Sequence, residues 1–386
     1  MNTLTLKNIG PIGEAEITPG DLTVLVGPQA TGKSIALQML KLLVDKGHVH
    51  QQLEHYGIDW DGDQNAFLDA YFGEGMHAIW GPKSEISKDG KRVDLKTLVR
   101  KAKPNGEERA FLVPAQRVLV LRNGWPRTFG DYAPGDPFAV RDFSEKLRGL
   151  VEQEFIGKDM LFPQKGRLKT EFREMLSRHV FANFGLRVHK LASQKRLVLA
   201  ADANAQPLPY MVWSAGQREF VPLLLGLYWL MPPTKVSRRG AIEWVMLEEI
   251  EMGLHPRAIN AVMLMVLELV RRGYKVCLTT HSPQVLETVW ALSRLQLAGA
   301  DASAVLRLFD AKGSSALTAM AQDILTKTYR VYSFGRASGS VRVADISSLD
   351  PDSASKEIAG WGGLAEFSDA ANMEVARAVS RAGATR

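Results

Sequence analysis

The segment Gly27-Pro28-Gln29-Ala30-Thr31-Gly32-Lys33-Ser34 has the spacing G-x-x-x-x-G-K-S. That spacing suits a phosphate. The glycines let the backbone curl until its N–H groups face phosphate oxygens, Lys33 reaches the β- and γ-phosphates, and Ser34 offers a hydroxyl to Mg²⁺. An apolar run, Asp21 to Val26, precedes the loop as a buried strand, and a helical pattern, Ile35 to Val44, comes after it. Strand, loop and helix in that order aim the positive end of the helix at an anion.

A second set of residues suits hydrolysis. Trp244 to Leu247 is an apolar strand ending in Glu248-Glu249. Paired acids there stand at the carboxyl edge of a parallel sheet, beside the phosphate loop. Glu248 would hold Mg²⁺, and Glu249 would orient and deprotonate the attacking water. Taken alone, the two acids equally suit the first turn of a helix. Some thirty residues later the strand Lys275 to Thr280 ends in His281-Ser282. An imidazole at that edge can hydrogen-bond a γ-phosphate. Ser214-Ala215-Gly216-Gln217 opens a helix, and an ordinary N-cap looks the same.

The order of these elements carries a resemblance: phosphate loop, Gln116, Ser-x-Gly-Gln, strand with two acids, strand with histidine. It resembles ABC-type ATPases, in the branch that holds the structural-maintenance-of-chromosomes (SMC), RecF-like and overcoming-lysogenization-defect (OLD) proteins. Leu4-Thr-Leu-Lys-Asn-Ile-Gly10 is similar to that branch's first strand. Glu248-Glu-Ile-Glu-Met-Gly-Leu-His-Pro256 resembles its Walker B run, and Thr279-Thr-His-Ser-Pro283 its switch-histidine loop. The resemblance covers Met1 to Val44 and Val212 to Phe309.

The resemblance implies a fold, a dimer and a set of site residues. The fold is α/β, an ABC-type P-loop NTPase head with a mixed sheet flanked by helices and an inserted helical or α+β lobe. Two heads pair head to tail, and each ATP lies between one phosphate loop and the other head's signature. By the same resemblance Gly27, Pro28, Gln29, Ala30, Thr31, Gly32, Lys33 and Ser34 hold the nucleotide in cis, and Ser214, Gly216 and Gln217 touch it in trans. Ser34, Gln116 and Glu248 are the implied Mg²⁺ residues, Gln116 as the Q-loop glutamine. Glu249, His281 and Lys33 are the implied catalytic residues. Glu248 stands where many relatives have Asp, Ala215 replaces a middle glycine, and Trp213 stands where Leu is common.

The rest of the chain sets bounds. Its 386 residues, 46% hydrophobic and 23% charged, suit one large or two modest globular domains. The single cysteine, Cys277, allows no internal disulfide and reads as a small buried hydrophobe. A cytoplasmic location fits that usage. The N-terminus lacks a secretory pattern, and the apolar run Phe220 to Met231, bounded by Pro232 and Pro233, is too short to span a bilayer, so no membrane role is expected. The net charge is +6, and residues 83–127 alone hold twelve basic and five acidic residues. That stretch either attracts nucleic acid or is a solvated, charge-mixed surface.

Residues 1–47 are expected to begin the ATPase core. Residues 48–109 form an insertion with a hairpin near Ile86 to Leu95, and 110–137 hold the Q-loop region. Residues 138–211 form a helical lobe and a strand pair turning around Asp202 to Gln206. The core resumes over 212–310, with Val305 to Phe309 as a further strand, and 311–386 form a partly ordered tail. In function, ATP binding would close a homodimer or higher homo-oligomer and hydrolysis would reopen it. The signal would pass to a separate effector, a nuclease or toxin, as in ATPase subunits of bacterial anti-phage defence systems. A RecF-like DNA-repair ATPase and an OLD-like nuclease acting on DNA are the alternatives. The nuclease needs an acidic metal site outside the core, and Asp345, Asp350 and Asp352 fall in a Ser- and Pro-broken loop.

Overall fold

The computed structural model describes residues 1–384 apart from 103–105, 165, 192–193, 203–204, 233–237 and 338. Lys103 of the basic stretch and Pro233 lie outside the described residues.

Sixteen strands are described. They are β1 (Leu4–Ile9), β2 (Ile12–Ile17), β3 (Leu22–Val26), β4 (Trp80–Lys88), β5 (Lys91–Val93), β6 (Ala110–Val113), β7 (Leu121–Arg122), β8 (Trp125–Pro126), β9 (Met160–Phe162), β10 (Gly185–Leu191), β11 (Gln194–Ala200), β12 (Leu208–Pro209), β13 (Trp244–Leu247), β14 (Lys275–Thr280), β15 (Tyr329–Ala337) and β16 (Ser340–Asp345). The helices are α1 (Lys33–His55), α2 (Gln64–Phe72), α3 (Leu95–Val99), α4 (Phe138–Gly149), α5 (Thr170–His179), α6 (Ala215–Leu230), α7 (Pro256–Arg271), α8 (Pro283–Leu297), α9 (Ala302–Leu308), α10 (Ser315–Ile324), α11 (Lys356–Ala359) and α12 (Glu366–Ala384).

Ten strands form one mixed sheet, in the order β5-β4-β1-β2-β16-β15-β3-β14-β13-β6. The phosphate-loop strand β3 runs parallel to β14 and β15 on its two sides, and β14, β13 and β6 continue the parallel half. Strand alternation divides the core between the two faces. Leu22, Val24 and Val26 of β3 join the cluster containing α6 and α7, whereas Leu25 joins the cluster containing α1 and α2. Cys277 is buried in the second cluster with its thiol pushed up to about 12 by burial, which makes it an inert hydrophobe.

Four expectations are corrected. The segment 311–386 is no partly ordered tail. Its strand β15 lies next to β3 at the centre of the sheet, because Val331 and Phe334 need a buried face as much as the phosphate-loop strand does. Residues 48–109 are no free-standing insertion, since α1 runs on to His55 and the β4–β5 hairpin extends the main sheet through β1. Val305 to Phe309 belong to helix α9 and its C-terminal cap, and Asp301 caps the start of that helix by accepting from the Ala304 amide. The strand pair β10–β11 turns between Leu191 and Gln194, not at Asp202 to Gln206, which instead lead to the short β12. The 138–184 region is also less helical than its spacing suggests. After α4 and one π-helical turn, Leu150–Glu154, the chain forms strand β9.

A buried charge network ties α1 to the sheet. Helix α1 bends at Asp45 (φ −130°), whose carboxylate accepts from the Arg109 and Ala110 amides at 2.9 and 3.1 Å. Lys41, fully buried, donates to the Ala110 carbonyl at 2.6 Å and lies 3.3, 3.6 and 3.7 Å from Asp45, Glu108 and Asp142. Lys146 also bonds Glu108 and Asp142. The lysine pKa is raised by these acids against the cost of burial. Replacing Lys41 by Met would leave the carboxylates buried with too little positive charge. We expect Lys41→Met to cost about 3–5 kcal/mol in urea unfolding, with Lys41→Arg costing less because the charge remains.

Candidate functional site

The phosphate loop leaves β3 at Gly27 (φ +141°), where a β-carbon would stand 2.6 Å from the Phe334 carbonyl oxygen of β15. Gly32 (φ +90°) is the N-cap of α1, and a β-carbon there would meet Ile12 at 2.7 Å. Both positions therefore require glycine, for close approach and for backbone geometry. Lys33 folds back over the loop and donates to the Gly27 and Pro28 carbonyls, each at 2.7 Å, while Thr31 donates to Pro28 at 2.8 Å. Burial lowers the Lys33 pKa to about 8, and Glu249 and Glu251 oppose the shift.

Two neighbouring parallel strands deliver the acids and the imidazole. Glu248 comes directly after β13 and is 1% exposed. Its Oε2 accepts from the Ala115 amide at 2.9 Å, and the Ser34 hydroxyl also hydrogen-bonds it. Its Oε1 is buried with no partner among the described residues. Burial pushes the carboxyl up to about 7 against those two hydrogen bonds. Glu249 takes a left-handed conformation (φ +46°), and its amide donates to the carbonyl of Thr279 on β14 at 3.1 Å. Its Oε1 lies 3.6 Å from His281 Nε2. The His281 amide donates to Glu251 Oε1 at 2.5 Å. Burial and nearby Lys33 hold the imidazole pKa below its ordinary value, against the pull of Glu249 and Glu251.

Arg117 is the residue that motif reading misses. It is 1% exposed and donates to the main-chain carbonyls of Glu248 and Glu249, both at 2.8 Å, and to that of Glu219 at 3.1 Å. Its guanidinium thus pins the acidic turn to the first residues of α6. The signal in the sequence is an arginine directly after Gln116 at a strand end, hidden among eleven other basic residues. Gln116 itself is exposed at the head of a short 3-10 turn, one residue from the Ala115 amide that holds Glu248. Glu251 is a second site residue that the motifs do not single out; its Oε2 is buried without a partner among the described residues.

Ser214, Gly216 and Gln217 stand apart from the phosphate loop of their own chain. Ser214 and Gln217 form a capping box, with the Gln217 amide donating to Ser214 Oγ at 3.2 Å and the Ser214 amide to Gln217 Oε1 at 3.0 Å. A β-carbon on Gly216 would lie 2.5 Å from the Gly253 carbonyl oxygen, so this helix start rests backbone to backbone on the loop leaving the acids. Trp213 is buried and donates from its ring to the Leu208 carbonyl at 2.9 Å.

Donors for a divalent cation are present where phosphates would lie. The Ser34 hydroxyl and the unpartnered Glu248 Oε1 are oxygens of the type Mg²⁺ takes. A second cluster of possible ligands, His48, Glu108 and Asp142, already contains the ammonium groups of Lys41 and Lys146.

Residues 140–287 match a family model described as AAA domain, putative AbiEii toxin, Type IV TA system. No curated protein matches the chain by sequence. Among solved structures, an SMC head bound to the C-winged helix domain of ScpA is similar at 12% identity, covering 89% of this chain and 96% of that one, with TM-score 0.43. The SMC head domain from Thermotoga maritima is similar at 13% identity, covering 89% and 98%, with TM-score 0.34. A dimeric bacterial ABC transporter cassette is similar at 13% identity, covering 74% and 90%, with TM-score 0.33.

The raised Glu248 pKa has a measurable sign. The folded chain holds this proton more tightly than the unfolded chain, whose carboxyl titrates near 4.5. Stability is therefore lost as pH rises from about 5 to about 7. Thermal midpoints measured in a chelator across that window should fall with rising pH. Glu248→Gln should flatten the slope, and Mg²⁺ should flatten it in the parent by favouring the carboxylate.

Proposed function

We propose that this chain, an ABC-type P-loop ATPase resembling the SMC, RecF and OLD branch, binds Mg-ATP between two head-to-tail copies and converts hydrolysis into a conformational signal. The observation that carries this reading is one convergence. Lys33, Glu248, Glu249, Glu251 and His281 come from segments more than two hundred residues apart, yet they act on one another electrostatically at one sheet edge. No helix among the described residues is long and apolar enough to cross a membrane.

The roles come from position. Gly27 to Ser34 cradle the triphosphate, with Lys33 exchanging its loop carbonyls for phosphate oxygens. Ser34 and Glu248 hold the metal, with Gln116 near enough to join them through water. When bound, Mg²⁺ neutralises phosphate charge and polarises the γ-phosphoryl group. Glu249 accepts the proton of the attacking water, and the two flanking hydrogen bonds to its main chain keep its strained turn in place. His281, held neutral, offers an N–H to the γ-phosphate. Ser214, Gly216 and Gln217 lie on an exposed helix start with no hydrogen bond to their own phosphate loop among the described residues, which suits contact in trans.

The biological reading is a sensor ATPase of anti-phage defence acting with a separate effector, a nuclease or toxin. It is supported by the motif resemblance and by the toxin–antitoxin wording of the matching family description. A nucleic-acid contact through residues 83–127 has narrower support. Arg117 is buried in the site, while Arg92, Lys101 and Arg109 pair with Glu85, Asp59 and Glu243. A self-contained nuclease has less. Asp350 pairs with Arg294 and the Asp345 carboxylate accepts from Ser347, so neither joins a metal cluster among the described residues.

Glu249→Gln is expected to lower steady-state ATP turnover by about 10²–10⁴-fold and to leave ATP binding intact, with the nucleotide trapped in a dimer by size-exclusion chromatography. Normal turnover in this variant would remove Glu249 from the role of base.

A further inference from the structure

Helix α12 is exposed along its described length, from Glu366 to Ser380, an unusual state for a helix that carries large apolar residues. Phe367 is 85% exposed, and Val375 and Val379 are also open to solvent. Successive side chains on a helix step by 100°, so Phe367, Ala371, Val375, Ala378 and Val379 share one stripe. That stripe faces away from the body of the protein. The opposite face, with Ser368, Asp369, Asn372 and Met373, lines a groove with Pro283 and Glu287 at the start of α8.

The root of α12 is the nucleotide site. Gly362 to Leu364 and Glu366 line a cavity of about 520 Å³ together with Gly27, Pro28 and His281. A β-carbon on Gly362 (φ +65°) would lie 2.9 Å from Ser333 Oγ and 3.4 Å from Val26, so the chain crosses directly over the end of the phosphate-loop strand before α12 begins. The helix therefore projects from the face that carries the phosphate loop and the switch histidine.

The signature face carries a second exposed apolar group. Met211 is 70% exposed and Val212 and Leu119 are more than half exposed. Tyr210 Oη donates to the Val118 carbonyl at 3.2 Å, which places Leu119 beside Met211 and Val212, just before Ser214. The other exposed large apolar residues outside α12, Ile156, Leu297 and Leu308, are scattered singly.

We infer that α12 docks its Phe367–Val375–Val379 stripe on the Leu119–Met211–Val212 patch of a second copy of this chain when the dimer closes. This rests on the head-to-tail reading of the nucleotide site. In that arrangement each phosphate loop meets the other copy's signature, so an element rooted beside the loop meets whatever flanks the signature. Two-fold symmetry makes the contact twice. Both groups lie open to solvent in the single chain, and both become buried in the one step that ATP drives.

The test uses the full chain carrying Glu249→Gln to stop turnover. Phe367→Ser with Val375→Ser on the exposed stripe is expected to weaken ATP-dependent dimerisation at least tenfold in sedimentation. ATP affinity measured under monomeric, dilute conditions should not change. In a second arm, chains bearing Val375→Cys are mixed with chains bearing Met211→Cys; the native Cys277 is buried. A disulfide between copies that forms with ATP and not without it supports the docking. Unchanged dimerisation of the double serine variant, or a crosslink indifferent to ATP, overturns it. Ser214→Arg separates the two readings. If it abolishes the ATP dimer while the α12 variant does not, the head-to-tail dimer stands and the α12 contact falls. If the Glu249→Gln parent stays monomeric in saturating ATP, the dimer reading itself fails and takes this inference with it.

Discussion

The site depends on a buried guanidinium. Four carboxylates, of Glu219, Glu248, Glu249 and Glu251, act on Arg117, and like charges gathered in a low dielectric repel strongly. Arg117 answers with hydrogen bonds to three main-chain carbonyls. That choice holds the peptide while leaving the carboxylates of Glu248 and Glu249 free for a metal and a water. Lys33 does the same on the opposite wall, resting on the carbonyls of Gly27 and Pro28. Both cations are placed by peptide oxygens, so neither has to surrender a carboxylate partner when a triphosphate arrives.

The parallel half of the sheet makes this possible. Strands β3, β14, β13 and β6 end at one edge, and each hands the site its next segment: the phosphate loop, the switch histidine, the acids and the Ala115–Arg117 turn. Hydrogen bonds between neighbouring turns then lock the edge. The Glu249 amide donates to Thr279, the His281 amide to Glu251, and the Ala115 amide to Glu248. The left-handed turn at Glu249 is local strain of the kind that persists only where surrounding contacts over-determine it. Here β14 holds one side of the residue and Arg117 the other.

The same edge is linked to the outer faces of the molecule. The start of α6 touches the loop after the acids through Gly216 and Gly253, two residues without side chains to absorb a displacement. Movement of the signature would therefore be felt at the acidic turn. On the far side, the chain after β16 crosses the phosphate-loop strand at Gly362 before it leaves as α12. The nucleotide site is thus in backbone contact with two surface elements, one near each end of its edge.

Much of this was legible in the chain. The glycine loop, the two acids and the histidine each announce themselves because their chemistry demands particular residue types at particular strand ends, and β-strands of four to six residues leave little room for error. The fold class and the cysteine's inert burial come from the same local rules. The sequence alone could not show anything set by long-range pairing. The segment after Tyr332 looks like a weakly patterned tail, yet its strand pairs with β3, because a strand's place in a sheet depends on partners three hundred residues away and not on its own composition. Val305 to Phe309 carries strand-like residues, but a capping aspartate and packing against α10 made it a helix. Arg117 looked like one charge in a basic run. Only the folded chain decided that it would be buried beneath the acids, because hydrogen bonds to carbonyls of residues over a hundred positions distant leave no mark on local spacing.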